Sequence, residues 1–528
     1  MTSLIVPVTK SRRNRATRVN VRLFVRHLAT MADWYNVGQM SINMLPDEAL
    51  LETFYIHANL LDIHGDEGWQ KLVQVCQRWR NLVFGSPRFL NVQLHCTAKT
   101  PVREMLDVWP ALPIAMQQFC WSPKDQSDNI LAALEHHDRV YEINLSVLTS
   151  SFLEQVGQVM RKPFPALTDL TLKAYRTRCT SPPVLPDSFL GGSAPRLQTL
   201  TLDHVPFPAL PNLLLSATEL HCLELFKIPR SGYIPPQSMV DCLSAMTRLE
   251  CLVLEFPRSG LSQASLPPPP PTRTVLPALT YLWFQGKCAY LEDLVARIDA
   301  PLLNNLSMTF FNQRTFNIPH LCNFMSRTNQ LRSPCRADVV FYNYGSIVVK
   351  LYQGLDSRIV QDPILQLQVL RQESDWRLSS LAQLCDSVLS YLSTLDRLDI
   401  RWGLRQEPRT LDDMGNIQWR ELFRPFAAVK KLHIAEPLGL CVLSALRKLA
   451  GHTETDVLPA LQDIFLEDLQ DLFRKEPPSR LLQEAVQQFI AAKQLSGHAV
   501  TSHEWDRFGM SALMRSIRRD LLVEVPQQ

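Results

Sequence analysis

One spacing recurs along most of this chain: an apolar residue, two variable residues, a second apolar residue, one variable residue and a third apolar residue. It occurs as Val140-Ile143-Leu145, Leu167-Leu170-Leu172, Leu197-Leu200-Leu202, Leu220-Leu223-Leu225, Leu249-Leu252-Leu254, Leu279-Leu282-Phe284 and Leu303-Leu306-Met308. It returns at Ile364-Leu367-Val369, Leu395-Leu398-Ile400, Val429-Leu432-Ile434 and Leu461-Ile464-Leu466. The last two residues of each triplet share one face of a strand, because successive side chains point to opposite sides. A strand with one apolar face cannot bury it alone. A series of such units must stack to make a continuous core.

Neighbouring triplets lie mostly in the twenties to low thirties of residues apart, the range of leucine-rich repeats or slightly beyond it. Many units open on a proline and a hydrophobe, as in Phe164-Pro165-Ala166-Leu167 and Leu276-Pro277-Ala278-Leu279. Proline is tolerated in a loop entering a strand, where no ladder N–H is needed. Helical patterns fall between the triplets, at 152–160, 238–246, 291–298, 321–325 and 378–392. The expected fold over 96–475 is therefore an α/β leucine-rich-repeat-like solenoid, a horseshoe. Phe310 to Gln361 breaks the pattern with one poor strand candidate, Val339 to Tyr342, and is either a degenerate unit or an interruption. Pro267 to Pro271 reads as an extended loop spacer, or as a ligand for an SH3- or WW-like module. Residues 476–528 are expected to hold a helical cap striped by Leu482, Val486, Phe489 and Ile490, with Trp505 and Phe508 in a tail that docks back.

If the triplets face the core, the alternate strand residues line the concave face. These include Thr171, Lys173, Thr201, Asp203, Glu224, Val253, Glu255, Gln285, Asn305, Ser307, Asp399, His433 and Phe465. Aromatic residues and arginine dominate protein interfaces. On that ground Tyr281, Trp283 and Phe226 are the expected anchors for a protein substrate, with Arg397, Arg401 and Lys431 steering it. The competing reading leaves Trp283 covered by a neighbouring loop.

A different signal occupies residues 41–95. Pro46 suits a first helical turn, and Asp47 and Glu48 complement the positive end of the helix dipole. Leu50, Leu51, Phe54 and Tyr55 make one stripe; after the connector His64-Gly65-Asp66-Glu67-Gly68, a second helix is expected to carry Trp69, Leu72, Val73, Cys76, Trp79 and Val83. The opening Leu45-Pro46-Asp47-Glu48, then Leu50-Leu51-x-x-Phe54, then Val75-Cys76-Gln77-Arg78-Trp79-Arg80, resembles an F-box. The connector is longer and more acidic than the family's usual turn. The whole chain resembles fungal-type F-box proteins with irregular leucine-rich repeats. That resemblance implies docking of a Skp-type adaptor, and through it a cullin–RING ubiquitin ligase (an SCF-type complex), by Leu45, Pro46, Leu50, Leu51, Phe54, Val75, Cys76 and Trp79. The rival reading makes these helices a mere cap on a solenoid scaffold with no link to ubiquitin.

Composition narrows the remaining classes. A net charge of +3 over 528 residues demands neither a nucleic acid nor an anionic membrane partner. No apolar run is long enough to span a membrane. The 12 cysteines are scattered without C-x-x-C or zinc-finger spacing, which suits a reduced, cytoplasmic or nuclear protein. Lys10, Arg12, Arg13, Arg15, Arg18, Arg22 and Arg26 precede the first acid, Asp33, so 1–40 reads as a basic, disordered leader. A mitochondrial transit peptide, an upstream-start extension ahead of Met31 and a nuclear-import patch are its alternatives. No phosphate-binding loop, dinucleotide fingerprint, H-E-x-x-H or G-x-S-x-G motif occurs. His136-His137 reads as a solvated helix end, and Asp412-Asp413 as a loop. No catalytic residue, cofactor or metal is expected.

Overall fold

The structure is a computed structural model. It describes residues 42, 45–60, 68–87, 89–90, 92–97, 101–118, 127–175, 183–257, 272–311, 316–342, 346–354, 362–370, 377–388, 392, 394–402, 416–450, 457–467, 480–495 and 500–505. The leader, the proline run, Asp412-Asp413 and Phe508 lie outside these. The chain divides into two compact units, Met1–Leu94 and His95–Gln528.

In the first unit three helices pack on one another: α1 (Asp47–Leu60), α2 (Gly68–Val75) and α3 (Gln77–Gly85). Leu50, Phe54, Trp69, Leu72, Val73 and Val83 are buried. The Phe54 and Trp79 rings meet at 4.6 Å. The Arg78 guanidinium donates to Asp47 Oδ1 and, at 2.6 Å, to the Leu45 carbonyl, tying the start of α3 to the first turn of α1. The single second helix expected from Trp69 to Val83 is in fact two. Cys76 is extended (φ −160°, ψ 169°) and caps α3. The break frees the Val73 carbonyl, which accepts from Arg80 Nε at 3.1 Å.

In the second unit the repeated triplets form a long, mostly parallel sheet covered on one face by helices. One sixteen-stranded sheet runs from β1 (Leu94–Cys96) at one edge, through β2 (Ile114–Gln118), β3 (Val140–Leu148), β4 (Asp169–Ala174), β5 (Thr199–Asp203), β6 (Cys222–Phe226) and β7 (Cys251–Glu255). A two-residue strand, β8 (Thr274–Val275), leaves to pair with β10 (Ile298–Asp299), so β7 neighbours β9 (Tyr281–Gly286), and β11 (Asn305–Phe311) follows. The triplets are in register: Leu170, Leu200, Leu223, Leu252, Leu282 and Leu306 sit side by side on consecutive strands. None of the six is more than 1% exposed. Burying each such leucine is worth roughly 1.5–3 kcal/mol, so the row is a principal source of stability. Successive connecting helices pack on one another, among them α4 (Val102–Val108), α5 (Ser127–Glu135) and α6 (Ser150–Val159), then α7 (Leu210–Ser216), α8 (Pro236–Ser244), α9 (Cys288–Ala296) and α10 (Pro319–Arg327).

The irregular zone is an insertion in reversed order. From β11 the chain passes through α10 to β12 (Arg336–Tyr342), which lies three places away from β11. It then returns through antiparallel β13 (Ser346–Tyr352) to β14 (Leu365–Leu370), beside β11. The next strand, β15 (Arg397–Trp402), is laid parallel against β12. The parallel series then resumes with β16 (Lys431–Ala435), β17 (Asp463–Glu467) and β18 (Thr501–Trp505). Helices α11 (Arg377–Ser387), α12 (Asn416–Phe423), α13 (Glu436–Ala450) and α14 (Arg480–Leu495) connect these strands. Helix α14, expected as a cap, is followed by β18 and packs on α13, as its predecessors pack on theirs. Its Lys493, only 1% exposed, donates to the Val457 carbonyl at 3.1 Å.

The face of the sheet opposite the helices

The alternate strand residues form rows of their own, one residue per strand. The middle row runs Asn144, Thr171, Thr201, Glu224, Val253, Trp283, Ser307, Gln366, Lys350, Asp338, Asp399, His433, Phe465. Two regions of different chemistry lie along it.

The first is centred on β6, β7 and β9 and mixes aromatic with polar groups. Phe226 and Trp283 are half-buried, with ring centroids 6.1 Å apart. Tyr281 follows Cys251 in register; burial, then the charges of Cys251 and Glu224, push its hydroxyl up to about 12. Around these rings the polar groups pair across strands. Thr201 Oγ1 donates to Glu224 at 3.0 Å, Gln285 Nε2 donates to Glu255 at 3.1 Å, and Lys227 reaches Asp203 at 2.9 Å. The three aromatic residues expected as anchors are therefore on one face and next to one another.

The second region is a buried charge cluster, and it corrects the expectation for the arginines. Arg397 Nε and Asp399 Oδ1 are 2.6 Å apart, Arg401 also binds Asp399, and its Nη1 lies 3.6 Å from Asp338. Arg336 stands 3.2 Å from Asp338 and over the Tyr352 ring at 4.1 Å. Arg397 is 8% exposed and Asp399 fully buried. Arg397 and Arg401 are thus spent on internal carboxylates and do not stand free to steer a partner. Lys431, with 44% of its side chain exposed and Asp396 4.0 Å away, keeps a solvent-facing amino group.

The cluster titrates asymmetrically. Burial favours the neutral acid at both aspartates. At Asp399 it is outweighed by Arg401 and Arg397, which hold the carboxyl below its usual range; at Asp338 burial and the neighbouring Asp399 prevail and raise it. His433, stacked on Phe465 at 4.3 Å, is pushed down to about 3, first by burial and then by Arg397, Arg401 and Lys431 against the pull of Asp399.

In the helical unit the expected docking residues divide. Leu50 and Phe54, at 0% and 1% exposure, serve the interior and offer no surface. Pro46 is exposed, Leu45, Leu51, Cys76 and Trp79 are half-buried, and Val75 is 60% exposed. Sequence reasoning missed Asp338, Arg336 and Tyr352, because their place depends on the reversed hairpin. It placed Glu224 on this face but not Cys222 and Cys251 beside it, although a signal was present: both cysteines stand immediately before the second triplet residue of their repeats.

No protein-family model matches this chain, and no curated protein does. Among solved structures, the leucine-rich repeat-containing protein LegL7 from Legionella pneumophila is similar at 12% identity and a TM-score of 0.26, over 78% of this chain and 99% of that one. The repeat architecture stands on this chain's own strands and their register. Among the described residues no helix is long and apolar enough to cross a membrane.

Proposed function

We propose that this chain is a non-catalytic, SCF-type substrate adaptor. Its N-terminal helices dock a Skp-type adaptor of a cullin–RING ligase, and the sheet face around Tyr281, Trp283 and Phe226 holds a protein substrate. The observation that supports the docking half is the distribution of exposure in the helical unit. Leu50 and Phe54 hold the helices together, while Pro46 and Val75 stay open to solvent. An apolar residue as exposed as Val75, beside half-buried Cys76 and Trp79, suits helix-in-groove recognition. The substrate half rests on the aromatic group of β6 and β9, since interface energy concentrates in such residues. The ligase partners would supply the chemistry, and this chain would supply proximity, raising the effective concentration of a substrate lysine at the charged conjugating enzyme. The reading needs no cofactor, nucleic acid or membrane, and places the protein in the cytoplasm or nucleus.

The test is co-purification of the full chain with a Skp-type adaptor. Pro46→Ala/Val75→Asp is the informative variant, because both positions are exposed; Trp79 packs on Phe54, and its loss would loosen the helices themselves. Capture by the wild type that falls at least about tenfold in the variant, with helicity unchanged, supports the reading; tenfold corresponds to about 1.4 kcal/mol of interface. No capture by the wild type removes it. A protein-binding scaffold without a link to ubiquitin would then stand, favoured by an aromatic sheet face that does not depend on the helices.

A further inference from the structure

Cys222 on β6 and Cys251 on β7 are partners in strand register, and Glu224 lies two residues along β6 on the same face. One sulfur from each cysteine and a carboxylate oxygen of Glu224 all lie within 4.8 Å of one another. Cys251 is buried, whereas Cys222 and Glu224 are half-buried, so the group is reachable from the face opposite the helices. We propose that Cys222, Cys251 and Glu224 form a site for a thiophilic divalent cation, zinc above all, on the sheet face that carries Tyr281 and Trp283.

Two thiolates and a carboxylate suit zinc, whose bonds to sulfur and oxygen are about 2.3 Å and about 2.0–2.2 Å, with four ligands in a tetrahedron. Ligand atoms around such an ion stand somewhat under 4 Å apart by that geometry, so closing the group requires only side-chain adjustment. Two soft sulfurs disfavour magnesium and calcium, which take all-oxygen shells. The Thr201 hydroxyl donates to Glu224 Oε2 at 3.0 Å and so orients the carboxylate as outer-shell partners of metal ligands do.

Cys222, Cys251 and Glu224 can each serve as an anionic ligand, and a divalent ion among them would be the largest local charge, favouring the two thiolates. On binding, both thiols lose their protons to solvent as the two metal–sulfur bonds form, and the carboxylate completes three ligands. The fourth position falls to water or to a donor brought by a bound partner.

The full chain, reduced and stripped with chelator, is titrated with Co²⁺ and followed by the thiolate-to-cobalt charge-transfer band. We expect about one equivalent to bind and Zn²⁺ to displace it. Cys222→Ser/Cys251→Ser should abolish the band, Cys335→Ser should keep it, and Glu224→Gln, which removes a ligand, should weaken binding by at least about tenfold, the loss typical of even an outer-shell partner. A parallel measurement needs no variant: Zn²⁺ should slow alkylation of Cys222 and Cys251 in the wild type, read peptide by peptide by mass spectrometry. No charge-transfer band in the wild type, a band unchanged in the double serine variant, or equal alkylation with and without Zn²⁺ would each overturn the site. So would a stable Cys222–Cys251 disulfide with no metal uptake after its reduction.

Discussion

Glu255 sits at the end of β7 with Gln285 donating to it, and burial pushes its carboxyl up to about 7, Lys227 opposing and Asp203 reinforcing. Its folded value stands above the unfolded one, so the native state holds the extra proton between about 4.5 and about 7. Stability therefore falls as pH rises through that window. Glu255→Gln keeps an oxygen to accept from Gln285 and removes the charge. The variant should be more stable than wild type at pH 8 by on the order of 1 kcal/mol, with the gap closing towards pH 5, as read by urea midpoints. His433 works in the opposite direction: its folded value, about 3, lies below the unfolded one, so its contribution is present above about 6.5 and drains away as pH falls towards 3. The slope cannot exceed about 1.4 kcal/mol per pH unit for one proton. Asp338, with its raised carboxyl, opposes this at the acid end. His433→Gln should flatten the loss of stability between pH 7 and pH 5, and an unchanged slope would place the titrating group elsewhere.

At the scale of elements, the hairpin of β12 and β13 decides what the neighbouring strands can do. It sets Asp338 beside Asp399 and so gathers Arg336, Arg397 and Arg401 into one buried cluster. Removing one member of a buried pair costs about 3–5 kcal/mol, because the remaining charge stays desolvated. Arg397→Met should therefore lower stability by about that much while leaving any partner binding to Trp283 intact in the folded fraction; lost binding with unchanged stability would restore a steering role to Arg397. The hairpin also marks where the sequence becomes hard to read. Strands β4, β6 and β9 announce themselves because one face is buried and the other half-open, which writes alternation into the chain. Strand β13 carries Ile347, Val348, Val349 and Leu351 with no alternation, and antiparallel insertion leaves no periodic trace. Strand β18, Thr501-Ser502-His503-Glu504-Trp505, has no apolar triplet at all. The aromatic group of the sheet face was legible from alternation alone; the fate of the arginines was not, since it follows from strand order.

Across the second unit, each strand–helix repeat touches chiefly its neighbours, and the register of leucines is the thread that joins them. Stability in such an array is a sum of repeat terms and nearest-neighbour terms rather than one cooperative quantity. Leu200 in β5 and Leu432 in β16 occupy equivalent buried positions on opposite sides of the reversed hairpin. Replacing either by alanine removes transfer energy and leaves a cavity, about 2–5 kcal/mol in all. Hydrogen exchange should then report a local loss. Leu200→Ala should deprotect β4 to β6 and leave β15 to β17 unchanged, and Leu432→Ala should do the reverse. The two costs should add in the double variant, since the sites share no partner. Uniform deprotection of all strands by either substitution would mean that the antiparallel insertion couples the two halves into one folding unit. In that case the aromatic sheet face and the buried charge cluster would be stabilised together, and a ligand on the first would protect the second.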